Sequence, residues 1–496
     1  MDNNSERVII RSERKKTKQN GKKKKIIISA ACVVLAAIIG LFAYLIPFRF
    51  VAPSPDKMKT FDNVGDGQAL RVGVISDTQL KPKNVIEGEE NGVNNNAENL
   101  KKTLQLLKAQ KVDMIIHAGD IADVNNKYSY EVYNSVIDEV YPDKKNRPIF
   151  FNIMGNHDLW STNGDNNTVS KYRLFKSQTG QSPWIHYKVN GFHFIGASPD
   201  LLENTRGYSE KTIEWLKQEI EAAIADSKPG NPVFVITHHN VNNTVYGSEL
   251  WSDPNLTTLL SQYESVVSIS GHSHFSILDE RSINQKNLTT FTTQSIAYVE
   301  LEYGKFDAFK DGESIHPPYS DNYPMCLIMN VGEKNTTIER WNVVKNREEK
   351  DNMRWTLNYP LEKGTFTYRN DVRQSKAQAP SFTQNAKLEY KPYIKSYLDE
   401  TKSLPGIAFT AAVDDDFVHS YNVRLTDVNT GKMYTYLYFS DFTRGISDMA
   451  KTVEIALDKN LPSARYKVEV YAVDSFNLYS ETAVTGEIDW VKPAVE

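Results

Sequence analysis

Five apolar runs of strand length stop at residues on which a buried strand has no ordinary reason to end. RVGVIS gives way to Asp77 and Gln79, VDMIIHAG to Asp120 and Asp123, and PIFFNIMG to Asn156, His157 and Asp158. FVIT ends on His238 and His239, and VVSISG on His272 and His274. Helix-like segments lie between them. Leu100, Leu104 and Leu107 recur at i, i+4 and i+7, and Ser209 opens a second stretch with Ile213, Leu216 and Ile220 on one side. Strands alternating with helices predict an α/β domain whose strands are buried on both faces. Ligands of such sheets bind beyond the carboxyl ends of the strands, so the five polar ends should converge. Singly, each reads as a helix cap or a satisfied core histidine. Together they hold five of the chain's ten histidines, which chance does not arrange in series.

The donors at these ends are carboxylate, imidazole and amide, with no thiolate among them. That set suits divalent Mn, Fe, Zn or Mg rather than softer metals. One carboxylate shared by two cations would hold them about 3.5–4 Å apart, the spacing used for in-line phosphoryl displacement. His117, His186 and His193 sit inside apolar runs and read as core residues.

Asp77-x-Gln79, Gly119-Asp120-x-x-Asp123, Gly155-Asn156-His157-Asp158, His238 and Gly271-His272-x-His274 resemble the five blocks of the calcineurin-like metallophosphoesterases. The resemblance implies a four-layer α/β/β/α sandwich, hydrolysis of phosphomonoesters or phosphodiesters by metal-activated water, and two divalent metal ions, with Mn favoured. Motif by motif, it implies that Asp77, Asp120 and His274 hold the first metal. Asp120, Asn156, His238 and His272 would hold the second, with Asp120 bridging. His157 would be the catalytic histidine, oriented by Asp123 and donating a proton to the leaving alkoxide; His239 would line the pocket. Where the family usually has histidine, this chain has Gln79. An amide oxygen is a harder and weaker donor than imidazole, so as a ligand Gln79 would leave one metal labile and favour Mn or Mg. It could equally hydrogen-bond a metal-bound water.

The rest of the chain sets the context. Residues 26–46 are 21 residues without a charge, long enough to cross a bilayer as a helix, and GKKKK precedes them. A signal anchor follows as an expectation: 1–25 a cytoplasmic basic tail, 26–46 the transmembrane helix, and the catalytic domain outside the cell membrane. Residues 1–25 carry ten Lys/Arg and three Asp/Glu, +7; the remainder has 58 − 10 = 48 basic and 62 − 3 = 59 acidic residues, −11. An acidic body argues against electrostatic nucleic-acid binding. Residues 47–68 read as a linker, 69–362 as the metallophosphoesterase domain, 363–385 as a second linker and 386–496 as an all-β sandwich. LPSARYKVEVYAVDSFNLYS resembles the later strands of a fibronectin type III domain, with Tyr466 as its corner tyrosine. Such a domain would offer contact with the cell envelope. Loops 81–97, 158–180 and 240–258, with Trp160, Tyr246 and Trp251, are the expected pocket walls. The competing reading is a non-catalytic surface protein that binds phosphorylated envelope polymers.

Overall fold

The computed structural model describes residues 52–491 apart from 68, 88–94, 162–163, 165–166, 203–205, 306–314, 318–319, 392, 398–399, 405 and 458–460. The expected basic tail and membrane anchor lie outside the described residues. Among those described, no helix is long and apolar enough to cross a membrane. Ser54–Glu496 forms one compact unit.

Two seven-stranded sheets make the body of the α/β region. In the first, β2 (Leu70–Ile75), β3 (Met114–Ala118) and β4 (Ile149–Ile153) run parallel, and β11 (Met325–Val331) pairs antiparallel with β2. The hairpin strand β12 (Asn335–Asn342) follows, with β13 (Arg347–Glu349) and β14 (Trp355–Asn358) both paired to it. In the second sheet, β6 (Phe192–Ala197), β7 (Val233–Thr237), β8 (Val266–Ser270) and β10 (Thr289–Thr292) form a parallel run. β1 (Lys59–Phe61) and β5 (Trp184–Val189) flank it on one side and β9 (Ile283–Gln285) on the other. Asn190 and Gly191, at φ 48° and 84°, turn the β5–β6 hairpin.

Strand β2 shows why these runs bury both faces. Val72 and Val74 enter the core shared by the two sheets, alongside Ile116, Phe151, Phe194, Phe234 and Phe291. Gly73 faces the other way, where a Cβ would lie 2.8 Å from Leu107 of the helix Asn95–Ala109. Leu100, Leu104 and Leu107 of that helix are fully buried, each side chain contributing about 1.5–3 kcal/mol by leaving water. The helix Glu210–Asp226 covers the second sheet, and the Ser209 hydroxyl caps it.

Neither expected linker is free chain. Lys59–Phe61 pairs parallel with β5, and the Phe61 ring lies 5.2 Å from that of Tyr187. Phe366 and Tyr368 pack on the α/β core, so the body continues past 362. A short helix, Asn370–Gln374, interrupts the second stretch. The C-terminal region is all-β. β15 (Leu388–Tyr390), β18 (Gly406–Thr410) and β21 (Thr452–Ala456) form one sheet. β19 (Ser420–Asp427), β20 (Met433–Phe439), β22 (Ala464–Val473) and β23 (Val484–Trp490) form another, and β16 (Tyr393–Tyr397) pairs with β17 (Glu400–Leu404). The three- and four-stranded sheets share a core of Ile407, Phe409, Ile455, Tyr421, Val423, Val468 and Trp490. Phe417, Phe439 and Phe442 belong instead to the α/β core, so the two regions are welded by aromatic packing.

Candidate metal centre

The carboxyl ends of β2, β3, β4, β7 and β8 meet at one place, and the backbone there is strained. Asp77, Gln79, Asp120, His272 and His274 have φ of 52°, 40°, 57°, 69° and 57°. Side-chain-bearing residues rarely adopt this left-handed region, and such residues cluster at functional sites. Cross-strand bonds hold the turns: Asp77 N–H donates to the Gly119 carbonyl (2.9 Å), Gln79 N–H to Asp120 (2.9 Å) and Gly271 N–H to His238 (3.1 Å). The glycines before the polar residues are demanded by close approach. A Cβ at Gly155 would lie 2.1 Å from Asp120 Oδ1, and one at Gly271 2.6 Å from Asp77 Oδ2.

Around this centre Asp120, His238 and His272 can bring one ligand atom each within 4.8 Å of one another. His238 Nε2 lies 3.3 Å from Asp120 Oδ2 and 2.9 Å from Asn156 Oδ1, while its Nδ1 donates to the Ala118 carbonyl at 2.9 Å. That second bond fixes the ring with Nε2 turned inward. Asp77 Oδ1 sits 3.2 Å from His274 Nε2, and the Gln79 amide 3.4 Å from the same nitrogen. The neighbouring histidines hold both carboxyls ionised against the cost of burial, Asp77 well below the usual carboxylate range and Asp120 at about 2. His239 is set apart. Its ring packs across Tyr208 and beside His272, so close to Gly207 that a Cβ there would lie 2.5 Å away.

His157 follows Asn156 on a short 3₁₀ turn, with 18% of its side chain exposed against 0% for His238 and 5% for His274. Its N–H donates to Asp120 Oδ1 (2.9 Å), and Nδ1 lies 2.8 Å from the Asp123 carbonyl and 3.4 Å from its carboxylate. Burial opposes the charge on this ring, but Asp120 and Asp123 outweigh it and push its pKa up to about 9. Trp160 lies against it, 3.9 Å between ring centres.

Two features escaped the sequence reading. Asp158 is fully buried and accepts from the Ile121, Ala122 and Gly155 N–H groups at 3.1, 2.9 and 2.9 Å and from the Tyr130 hydroxyl at 2.8 Å. It ties the loop of Asp120 to the loop of Asn156 and His157. The motif contained Asp158 but gave no hint that three of its four acceptor bonds come from backbone. Tyr298 was not anticipated; its ring lies 4.4 Å from that of His274. Of the expected walls, Trp160 and Trp251 stand at the site, Trp251 with its ring 5.1 Å from His272. Tyr246 does not. It is buried against Phe275, and its hydroxyl meets Glu302 and His419.

The residues fit a cation site. Asp77 Oδ1 and Asp120 Oδ2 are buried and accept no well-formed hydrogen bond, although imidazole nitrogens stand within 3.3 Å of each. Buried polar atoms are normally paired, so two orphaned carboxylate oxygens facing imidazole are what a divalent cation would complete.

Residues 70–276 match the family profile of the calcineurin-like phosphoesterases, so the chain carries a domain of that family. No curated protein shows significant sequence similarity to the chain. Among solved structures, a dimetal phosphatase from Danio rerio is 13% identical with a TM-score of 0.40, covering 59% of this chain and 99% of its own. Purple acid phosphatase PPD1 from yellow lupin seeds is 14% identical with a TM-score of 0.39, covering 62% of this chain and 55% of its own. A predicted phosphoesterase from Streptococcus pneumoniae is 10% identical with a TM-score of 0.26, covering 59% and 99%. The family assignment rests on the profile, not on these distant neighbours.

Proposed function

We propose that the chain is a metal-dependent phosphoesterase that holds two divalent cations and acts outside the cell membrane. The observation that carries the reading is the pair of orphaned, buried oxygens on Asp77 and Asp120 among His238, His272 and His274. Asp77, Gln79 and His274 would hold one cation, Asn156, His238 and His272 the other, and Asp120 both. Bound there, two cations supply Lewis-acid activation of water and neutralisation of charge on the phosphoryl oxygens.

The chain's own groups do the rest. Asp123 keeps the Nδ1 proton of His157 engaged, which leaves Nε2 to meet the substrate. A protonated ring there stabilises charge on a phosphoryl oxygen and can give its proton to the departing alkoxide. Asp158 holds the two loops that set the distance between His157 and Asp120. Gln79 makes its half of the centre the weaker one, because an amide replaces an imidazole.

A membrane anchor at 26–46 and a fibronectin type III-like C-terminal domain complete the proposal. The uncharged run and its lysine flank support the first. The paired three- and four-stranded sheets support the second, as does the Tyr466 hydroxyl reaching back to the Pro462 carbonyl at 2.8 Å. The test is to strip the purified full-length protein with chelator, restore Mn²⁺, and assay a chromogenic phosphodiester and its matching monoester beside His157→Ala. Metal-dependent turnover that collapses in the variant is expected. Absence of turnover with either ester and with Mn²⁺, Fe²⁺, Zn²⁺ or Mg²⁺ would overturn the enzyme reading.

A further inference from the structure

Two loops wall the metal centre, 240–252 with Trp251 against His272 and 298–305 with Tyr298 against His274. Neither belongs to a strand of the α/β sheets. Each is bonded locally, Trp251 by Asn240 and Gly247 and Tyr298 by Ser295, and each has a further anchor from the other end of the chain. Within the second loop, Lys305 N–H donates to the Leu437 carbonyl at 2.9 Å and receives the Phe439 N–H at 2.8 Å, a β-bridge to strand β20. Gly304 lets that strand approach: a Cβ there would lie 2.2 Å from the Phe439 ring.

The first loop is joined to the same place through a polar cluster in which Tyr246, Asp279 and His419 are buried and Arg281 and Glu302 half-buried. Tyr246 meets the Glu302 carboxylate of the second loop, and its hydroxyl lies 3.0 Å from His419 Nε2. Arg281 covers the Tyr246 ring at 4.0 Å, pairs with Asp279, and donates to the same His419 nitrogen at 3.2 Å. An arginine only donates, so Nε2 of His419 accepts and Nδ1 carries the proton, 3.3 Å from the Ser420 hydroxyl. That nitrogen's one lone pair is taken by Arg281, so the Tyr246 hydroxyl donates its hydrogen bond to Glu302 and packs beside His419. Burial depresses the His419 pKa and agrees with a neutral ring. One histidine of the C-terminal region thus closes a cluster with a member on each wall.

We propose that the C-terminal β-region is a working part of the catalytic centre, with His419 as the positioning residue that sets the two aromatic walls through Tyr246, Arg281 and Glu302. His419 touches no substrate. It acts by holding Trp251 and Tyr298 where the non-reacting part of a phosphoester must pass. The kinetic half of this inference rests on the phosphoesterase reading above; the structural half does not. Buried networks of this kind specify one arrangement when every member is satisfied, and release it when one is removed.

The experiment uses the full-length protein and two variants, Tyr246→Phe, which keeps the packing, and His419→Ala, which removes the imidazole, with His419→Gln as the conservative rescue that restores a polar side chain of similar reach. Hydrogen–deuterium exchange is followed by peptide, beside kcat and KM for a chromogenic phosphodiester with Mn²⁺. Exchange should rise several-fold in 240–252 and 298–305 and stay unchanged in β2, β3, β7 and β8. KM should rise by about tenfold with kcat changed much less, the pattern of lost substrate positioning, and His419→Gln should recover both. Uniform exchange across the unit, or a lower melting temperature with unchanged KM, would overturn the proposal and leave His419 a purely structural contact. Selective loop exchange in a wild-type protein that hydrolyses no ester would uphold the positioning role and overturn the phosphoesterase reading alone.

Discussion

Buried histidines meet carboxylates in two places in this molecule, and the contrast shows what a functional cluster looks like. On the outer face of the second sheet, His186 Nδ1 lies 2.6 Å from Glu219, His186 Nε2 lies 2.8 Å from His193 Nδ1, and His193 Nε2 is 3.1 Å from Asp226. Both rings stand on regular strands, and both carboxylates come from the covering helix. The backbone is relaxed and each carboxylate also faces solvent, 30% exposed at Glu219 and 50% at Asp226. At the strand ends everything is reversed: left-handed φ, carboxylates at zero exposure, and oxygens with no donor. Imidazole beside carboxylate is common to both. Strain together with an unanswered charge belongs to one.

The contrast breaks most sharply at Asp120, the residue that the proposal has both cations share. Asp120→Asn should abolish metal retention and lower kcat/KM by about 10³-fold or more, since the nucleophile and its electrostatic stabilisation go together. Metal analysis after dialysis and steady-state kinetics check both. His193→Gln, the matched substitution in the other cluster, should leave metal content unchanged and activity within about twofold. Next in size is His157→Ala. In the proposed role the ring would give a proton without holding a cation, so kcat should fall by about 10²–10⁴-fold while metal content stays at the wild-type value. Loss of metal in that variant would make His157 part of the cation site instead.

Legibility in the sequence followed the same line. The strand-ending residues could be read because apolar runs and their stops are local, and Asp77, Asp120, Asn156, His238, His272 and His274 do converge. What could not be read is set by distance along the chain. Asp158 accepts from residues 36 and 37 positions away, and Tyr246 meets His419 across 173 positions. No spacing rule reaches that far. Tyr246 read like Trp251, as an aromatic of the pocket wall, and the partners that draw its hydroxyl away, Glu302 and His419, lie far along the chain. The stretches around 59–61 and 366–368 looked like linkers because each contributes a single short edge or a pair of rings to cores built elsewhere. Periodicity needs several turns or alternations before it shows.

Within the centre itself the comparison can be sharpened at Gln79. Its amide is buried beside His274, so it is placed where a ligand would be but with a weaker donor. Wild type should retain about one metal per chain after exhaustive dialysis and regain the second from added Mn²⁺. Gln79→His should retain about two and shift preference towards Zn²⁺. Near-complete two-metal retention by the wild type would mean that the amide side is no weaker than the other.

The smallest effect concerns the relaxed cluster, and its sign follows from which state takes up protons. Burial and the neighbouring His186 push the His193 pKa down to about 4, outweighing Asp226. An unfolded histidine titrates near 6.5. Between those values the unfolded chain binds a proton that the folded chain refuses, so stability falls as pH drops from about 6.5 towards 4 and is flat above. Each pH unit in that window removes up to about 1.4 kcal/mol per such histidine. His117 is buried beneath Thr78 with its pKa also near 4, so it adds a slope of the same sign. Melting temperature measured from pH 6.5 to 5 should therefore decline in wild type and decline less steeply, but not become flat, in His193→Gln. An unchanged slope would mean that Asp226 accepts a proton-bearing His193 in the fold, and that this outer cluster is charged after all.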